Sequence, residues 1–239
     1  MKKITRYAAL ALFALLTLAS CEDKASQGLT DITYYAEIVL EGEETMVVNK
    51  GDAYVEPGFT ATMKGEDVTD QVVVEGDVDT NASGTYTISY SVTNADGFVA
   101  SATRTVVVYN LSDPVEGFWV VDPTVSYREY DNSGEIVTTP YKGAFEIFIY
   151  EEEPGVYMVD DLLAGWYCQG AGYGTDYAMM AYISIADDGT IALLNSYVPG
   201  WGDAADGLTD GAFDAANGTI KYTVAYAGIM KFFVTLNKE

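Results

Sequence analysis

Thr85-Tyr86-Thr87-Ile88-Ser89-Tyr90-Ser91-Val92 decides the fold class. Tyr86, Ile88, Tyr90 and Val92 alternate with hydroxyl-bearing residues, and a period of two puts all four on one face of an extended strand. The run stops at Asn94-Ala95-Asp96-Gly97, whose residue types suit a tight turn, and Val99 through Val108 predicts the returning strand of a hairpin. Upstream, Tyr34 to Leu40 and Gln71 to Val74 predict further short strands at sandwich-like intervals.

Asn110-Leu111-Ser112-Asp113-Pro114 reads as a short linker, because Pro114 cannot donate to a ladder and holds Asp113 extended. Past it the alternation resumes. Phe145, Ile147 and Ile149 alternate with Glu146, Phe148 and Tyr150; Ile220, Tyr222, Val224 and Tyr226 with Lys221, Thr223 and Ala225; Met230, Phe232, Val234 and Leu236 with Lys231, Phe233, Thr235 and Asn237. Asp131-Asn132-Ser133-Gly134, Pro154-Gly155, Asp187-Asp188-Gly189, Asn217-Gly218 and Ala227-Gly228 supply turns, and no stretch carries a helical stripe. The chain is therefore expected to be all-β: a sandwich over 31–110, then an antiparallel barrel or sandwich over 115–239, closed or folded so that sheet edges are covered.

Residues 1–20 carry Lys2, Lys3 and Arg6 ahead of an apolar run from Ala8 to Ala19, which is too short to span a bilayer and suits a removed secretory signal. Leu18-Ala19-Ser20-Cys21 resembles the bacterial lipobox, and the resemblance implies that the Cys21 thiol is lipidated and anchors the chain in the outer membrane, with 21–30 as a tether. Glu22-Asp23-Lys24 resembles the surface-export signal of Bacteroidetes lipoproteins, which implies exposure outside the cell. With Cys21 acylated, Cys168 has no partner for a disulfide; lacking a histidine to activate it, it is expected to be a small buried residue.

Composition narrows the function. Twelve basic residues against 36 acidic ones exclude an electrostatic nucleic-acid binder, and removing 1–20 takes the formal charge from −24 to −27. There is no histidine, so serine and cysteine nucleophiles lack their usual base. Glu129, Glu146, Asp160 and Asp161 could be drafted as a carboxylate pair, yet nothing in their spacing sets two of them across a cleft. The expectation is a protein without catalysis and without a cofactor. Asp77, Asp79 and Asp96 read as turn residues rather than calcium ligands. Asp203, Asp206, Asp210 and Asp214 lack the alternating spacing of a calcium loop.

Two loops stand out. Gly165-Trp166-Tyr167-Cys168-Gln169-Gly170-Ala171-Gly172-Tyr173-Gly174-Thr175-Asp176-Tyr177 and Tyr197-Val198-Pro199-Gly200-Trp201-Gly202-Asp203-Ala204-Ala205-Asp206 mix glycine with tryptophan and tyrosine. Flat rings with polar edges suit the apolar face of a pyranose, and carboxylates or amides accept from its hydroxyls. The expected ligand-binding residues are Trp166, Tyr167, Gln169, Tyr173, Asp176, Tyr177, Trp201 and Asp203. The alternative is that these rings plug the end of a barrel or pack against the neighbouring domain. Bulk charge disfavours acidic polysaccharides and leaves neutral oligosaccharides or basic oligopeptides as the better ligands.

Gly51-Asp52-Ala53-Tyr54-Val55-Glu56-Pro57-Gly58-Phe59, Asp67-Val68-Thr69, Gly76-Asp77-Val78-Asp79-Thr80, Gly84-Thr85-Tyr86 and Arg104-Thr105-Val106-Val107-Val108 resemble, in order, the bacterial immunoglobulin-like domain. Gly117-Phe118-Trp119 resembles the opening of lipocalin-like barrels. The layout as a whole is similar to Bacteroidetes surface lipoproteins found with SusC/SusD-like nutrient importers. That resemblance implies an accessory protein capturing oligosaccharide or oligopeptide for a TonB-dependent transporter, or else a structural subunit bracing such a complex or the cell envelope without a ligand.

Overall fold

The computed structural model describes residues 32–239; the signal segment, Cys21 and the tether lie outside the described residues. The first unit contains β1 (Ala36–Leu40), β2 (Thr45–Asn49), β3 (Phe59–Met63), β4 (Glu66–Asp67), β5 (Val73–Glu75), β6 (Gly84–Thr93) and β7 (Val99–Tyr109). A sheet ordered β1-β3-β4 faces one ordered β2-β7-β6-β5, an immunoglobulin-like sandwich. The 85–92 alternation is realised: Ile88, Tyr90 and Val92 are buried and Tyr86 half-buried against Val106 and Val108. Asn94 builds the hairpin turn by accepting from the amides of Asp96 and Phe98 at 3.1 and 2.8 Å.

Strand β2 runs parallel to β7, from Thr45 opposite Thr105 to Asn49 opposite Tyr109. The sequence reading passed over it because Thr-Met-Val-Val-Asn is short and scarcely alternates. Arg104, on β7, is fully buried. It donates to the carbonyls of Glu41 (2.7 Å), Gly58 (3.2 Å) and Glu43, and pairs with Glu56 at 3.2 Å, so its charge is compensated on several sides.

The second unit contains β8 (Gly117–Val121), β9 (Tyr127–Asn132), β10 (Glu135–Pro140), β11 (Glu146–Glu153), β12 (Val156–Val159), β13 (Met180–Ile185), β14 (Ile191–Tyr197), β15 (Gly207–Asp214), β16 (Thr219–Tyr226) and β17 (Met230–Lys238). All pairings are antiparallel. The run β15-β16-β17-β8-β11-β12-β13-β14 curls until its ends meet at the single bridge Thr190–Ala212, where the Phe213 amide also donates to Gly189 at 2.7 Å. Between barrel and sandwich, the form adopted is a sheet curled into a half-barrel, its ends touching only at that bridge. It is not a simple up-and-down meander: β17 pairs with β16 along its length, and on its other side first with β9 and then with β8. The β9-β10 hairpin therefore stands off the ring as a flap.

The interior is solid. Trp119, Ile147, Ile149, Val159, Ile183, Ile220, Val224, Phe232, Val234 and Leu236 fill it, and the Trp119 indole donates to the Val115 carbonyl at 2.8 Å. A ligand cavity inside the barrel, which the likeness of Gly117-Phe118-Trp119 to lipocalins would suggest, is replaced by this packing. Phe148 points outward and is nonetheless buried, because Phe118 and the last residue of the sandwich, Tyr109, cover it with ring centres at 5.0 and 5.8 Å. Tyr109 passes so close to Gly117 that a Cβ there would come within 2.9 Å of its ring.

Candidate functional site

The long connection from β12 to β13 is held shut by one buried side chain. The Asp161 carboxylate accepts from the amides of Leu163 and Gly165 at 2.9 Å each, from Met179 at 3.0 Å, and from the Cys168 thiol at 3.0 Å. Burial pushes the Asp161 carboxyl upward, and these donors pull it back down. Cys168 accordingly differs from the small buried residue expected: it is half-buried and donates a hydrogen bond, and burial together with Asp161 pushes its thiol well above the ordinary range.

From that clasp, residues Trp166–Gly170 form a wide helical turn in which the Gly170 amide donates to the Gly165 carbonyl at 2.7 Å. Both rings of the turn are half-buried and meet Phe232, with centres at 5.6 Å for Trp166 and 6.0 Å for Tyr167. Trp166 also lies edge-on to Tyr141 at 4.9 Å. It packs against the core rather than joining an exposed platform, because the barrel mouth needs a large apolar plug at that point. Tyr167 places its hydroxyl 3.3 Å from the Met230 sulfur and its ring 4.7 Å from Trp201.

The two aromatic loops meet. The Gly200 amide donates to the Asp176 carbonyl at 2.6 Å, and Tyr177 lies across Gly200, where a Cβ would sit 2.6 Å from its ring. Trp201 contacts Tyr177 at 4.9 Å and Tyr226 at 6.4 Å, while Tyr173 lies 6.1 Å from Tyr167 and 5.5 Å from Tyr177. Tyr173 and Trp201 remain 55% and 41% exposed, so part of this cluster faces water. Asp203 sits beside it, its carboxylate taking both distances of 2.9 and 2.8 Å from the Tyr226 hydroxyl. Burial and then Asp203 push that hydroxyl above its usual range, so it stays a donor.

Tyr167, Tyr173, Tyr177, Trp201 and Asp203 are thus brought together, with Asp176 joined through its backbone. Gln169 is not among them: it is exposed and its amide donates to the Glu146 carbonyl at 3.0 Å, on another side of the turn. The sequence reading missed Tyr226 as part of this region. Tyr226 looked like one more inward strand residue, and only its 23-residue reach to Asp203 reveals the second task. The patch is a platform: a hollow of about 680 Å³ lies instead beside Tyr34, Met63 and Asn94, and one of about 440 Å³ beside Asp131, Ile229 and Met230.

The acidic residues have local duties. Asp206 accepts from the Gly228 amide at 2.7 Å, Asp214 from Ala216 and Asn217, and Asp79 from Asn81. Among the described residues no three acidic or thiol side chains converge as metal ligands would.

Residues 38–108 match the family described as bacterial surface protein, Ig-like domain, and residues 108–238, more than half of the chain, match a family described as a C-terminal domain. The crystal structure of the lipoprotein BT2262 from Bacteroides thetaiotaomicron is 41% identical, with a TM-score of 0.71, covering 85% of this chain and 100% of that one. Two structures from Clostridium perfringens ZmpB follow. One holds CBM51-2 with GlcNAc and INT domains (14% identity, TM-score 0.27, 85% of this chain and 44% of that one). The other holds the M60 catalytic domain with CBM51-1 and CBM51-2 (16%, 0.26, 84% and 21%). Likeness that slight bears on neither fold nor chemistry. No curated protein matches the chain. With an immunoglobulin-like surface domain, a barrel after it, and a full-length relative at this identity, the chain belongs to the family of the Bacteroides thetaiotaomicron lipoprotein.

Proposed function

We propose that this envelope lipoprotein is an accessory nutrient-binding protein, holding an oligosaccharide or oligopeptide at the cell surface for a SusC/SusD-like TonB-dependent importer. The observation that carries the reading is the exposed pair Tyr173 and Trp201, set on two loops that the Asp176–Gly200 hydrogen bond joins into one surface. Exposed rings fixed in place at low conformational cost are what stacking on a sugar face requires. Asp203, oriented by Tyr226, keeps lone pairs free to accept from ligand hydroxyls. The immunoglobulin-like domain serves as a spacer that lifts this patch from the membrane.

The filled interior, which leaves no cleft within the sheet, supports recognition without catalysis. Asp160 and Asp161 are adjacent but serve the fold, accepting from Phe148 and from the 161–179 clasp respectively. The test is a titration of neutral oligosaccharides and peptides followed by tryptophan fluorescence, with Trp201→Ala as control. Saturable binding that Trp201→Ala abolishes supports the reading. A panel with no binding at all leaves the bracing role, without a ligand, as the better account.

A further inference from the structure

The end of the sandwich that faces away from the second unit carries exposed rings. Strand β7 begins at Val99 and ends at Tyr109, which packs on Phe118 and Phe148, so about 33 Å of strand separates that contact from the turn before Val99. At the far end Tyr35 and Phe98 touch, with ring centres 5.4 Å apart, and remain 65% and 49% exposed. Their chain neighbours Tyr34 and Val99 are exposed as well, and so is Ile32. Scattered apolar residues on a surface are ordinary, but a group of them gathered at one end marks a contact surface.

The rings are held in place. Asn94, itself buried, accepts from the Phe98 amide at 2.8 Å and donates its side-chain amide to the Tyr34 carbonyl at 2.8 Å, so one residue fixes both ring-bearing segments. The Lys64 ammonium lies 4.9 Å from the centre of the Tyr34 ring, and both residues border the hollow of about 680 Å³. Glu66 and Asp96 line the same hollow, so the charge is mixed and favours no strongly charged partner of either sign. A neutral amphipathic surface fits better, because tyrosine rests with its ring in an apolar layer and its hydroxyl at the polar boundary.

The length of chain before this end decides which surface is in reach. Ile32 stands eleven residues after Cys21, and eleven residues span at most about 40 Å in any arrangement. An acylated Cys21 therefore keeps this end of the sandwich close to the leaflet and leaves the second unit beyond it. We propose that Tyr34, Tyr35 and Phe98 form a membrane-contact surface, seated among the headgroups of the leaflet that holds Cys21. The sandwich then stands as a post with the second unit at its outer end. This rests on the lipidation of Cys21 and is independent of whether the aromatic loops hold a ligand. A few rings bind a bilayer weakly alone, and the anchor makes their contact an intramolecular one.

The native tryptophans, Trp119, Trp166 and Trp201, all lie in the second unit, so a tryptophan placed on the sandwich reports separately. Phe98→Trp and, at the opposite end, Leu111→Trp are made as lipidated full-length chains, checked for acylation by mass and for folding by circular dichroism. They are reconstituted into vesicles of phosphatidylethanolamine and phosphatidylcholine, with and without bromine on the acyl chains near the headgroups. Bromine is expected to quench the added tryptophan of Phe98→Trp severalfold more than that of Leu111→Trp, and adding Tyr35→Ser should lower the difference. Quenching should persist in about 0.5 M salt, since exposed charges are screened there and rings are not. Equal quenching at the two positions, quenching at neither, or quenching that salt removes overturns the proposal. A chain whose Cys21 carries no acyl group sinks the anchor and the proposal together, while leaving the ligand reading of the loops to its own titration. A dimer of the unlipidated chain that Tyr35→Ser dissociates overturns the proposal by assigning the rings to a second copy.

Discussion

Asp161 receives the Cys168 thiol at 3.0 Å, and the same carboxylate ties the amides of Leu163 and Met179 at the two ends of the aromatic loop. The lone cysteine is therefore part of the device that shapes the candidate site. Replacing Asp161 by alanine would strand three buried amides, each costing about 1–3 kcal/mol when unsatisfied. Asp161→Ala is expected to unfold the domain or lower its melting transition steeply, with Asp161→Asn milder because one acceptor oxygen remains. Urea titrations of the two variants check the order.

Cys168 should resist thiol–disulfide exchange. Its thiol is held protonated by burial and by the neighbouring carboxylate, and the thiolate is the reactive species. Labelling with a chromogenic disulfide reagent at neutral pH should be far slower in the native protein than after denaturation. Comparable rates in the two states would mean that the Asp161 bond is not made.

The two loop tryptophans should separate cleanly. Trp166 packs against Tyr141 and Phe232, so Trp166→Ala is expected to cost about 3–5 kcal/mol, as large-to-small core changes do. Trp201 is 41% exposed, and Trp201→Ala should change stability by only about 1 kcal/mol while removing ligand binding. Equal destabilisation by both would place Trp201 in the core as well.

Gly200→Ala tests the joint between the loops. A methyl group 2.6 Å from the Tyr177 ring forces that ring off Trp201, at a cost of about 1–3 kcal/mol for overpacking. The expected result is weaker ligand binding with a modest fall in melting temperature. Unchanged affinity would show that Tyr177 does not position Trp201.

Asp160 gives a pH dependence of unusual sign. Burial, partly offset by the Phe148 amide, raises its carboxyl from 3.8 to about 7. Between those values the folded chain keeps a proton that the unfolded chain has lost. Its contribution to stability is thus fullest below 3.8, falls as pH rises through the window, and is least above 7. Asp160→Asn, still able to accept from Phe148, should gain stability over the wild type at about pH 8 and lose that advantage near pH 4. Denaturation curves at the two pH values decide it.

How much could be read in advance differs by residue. Ile88, Tyr90 and Val92, or Phe232, Val234 and Leu236, reveal their buried face through period alone, since adjacent strand residues point to opposite sides. Phe148 breaks that logic: it alternates outward yet is buried, because Tyr109 of the other domain covers it. Trp166 and Tyr167 are equally aromatic neighbours in one glycine-rich loop, and nothing in their order tells that Trp166 meets Tyr141 while Tyr167 meets Trp201.

Composition and alternation by themselves determined an acidic, histidine-free all-β chain in two parts, with two aromatic loops in the second. Strand period and turn chemistry are local properties, written within a few neighbouring residues. The tertiary structure alone decided that the barrel interior is filled, that the two loops share one hydrogen-bonded surface, and that Trp166 supports it while Trp201 faces water. Those outcomes depend on contacts between residues far apart in the chain, such as Gly200 with Asp176 and Tyr226 with Asp203, which no local pattern encodes.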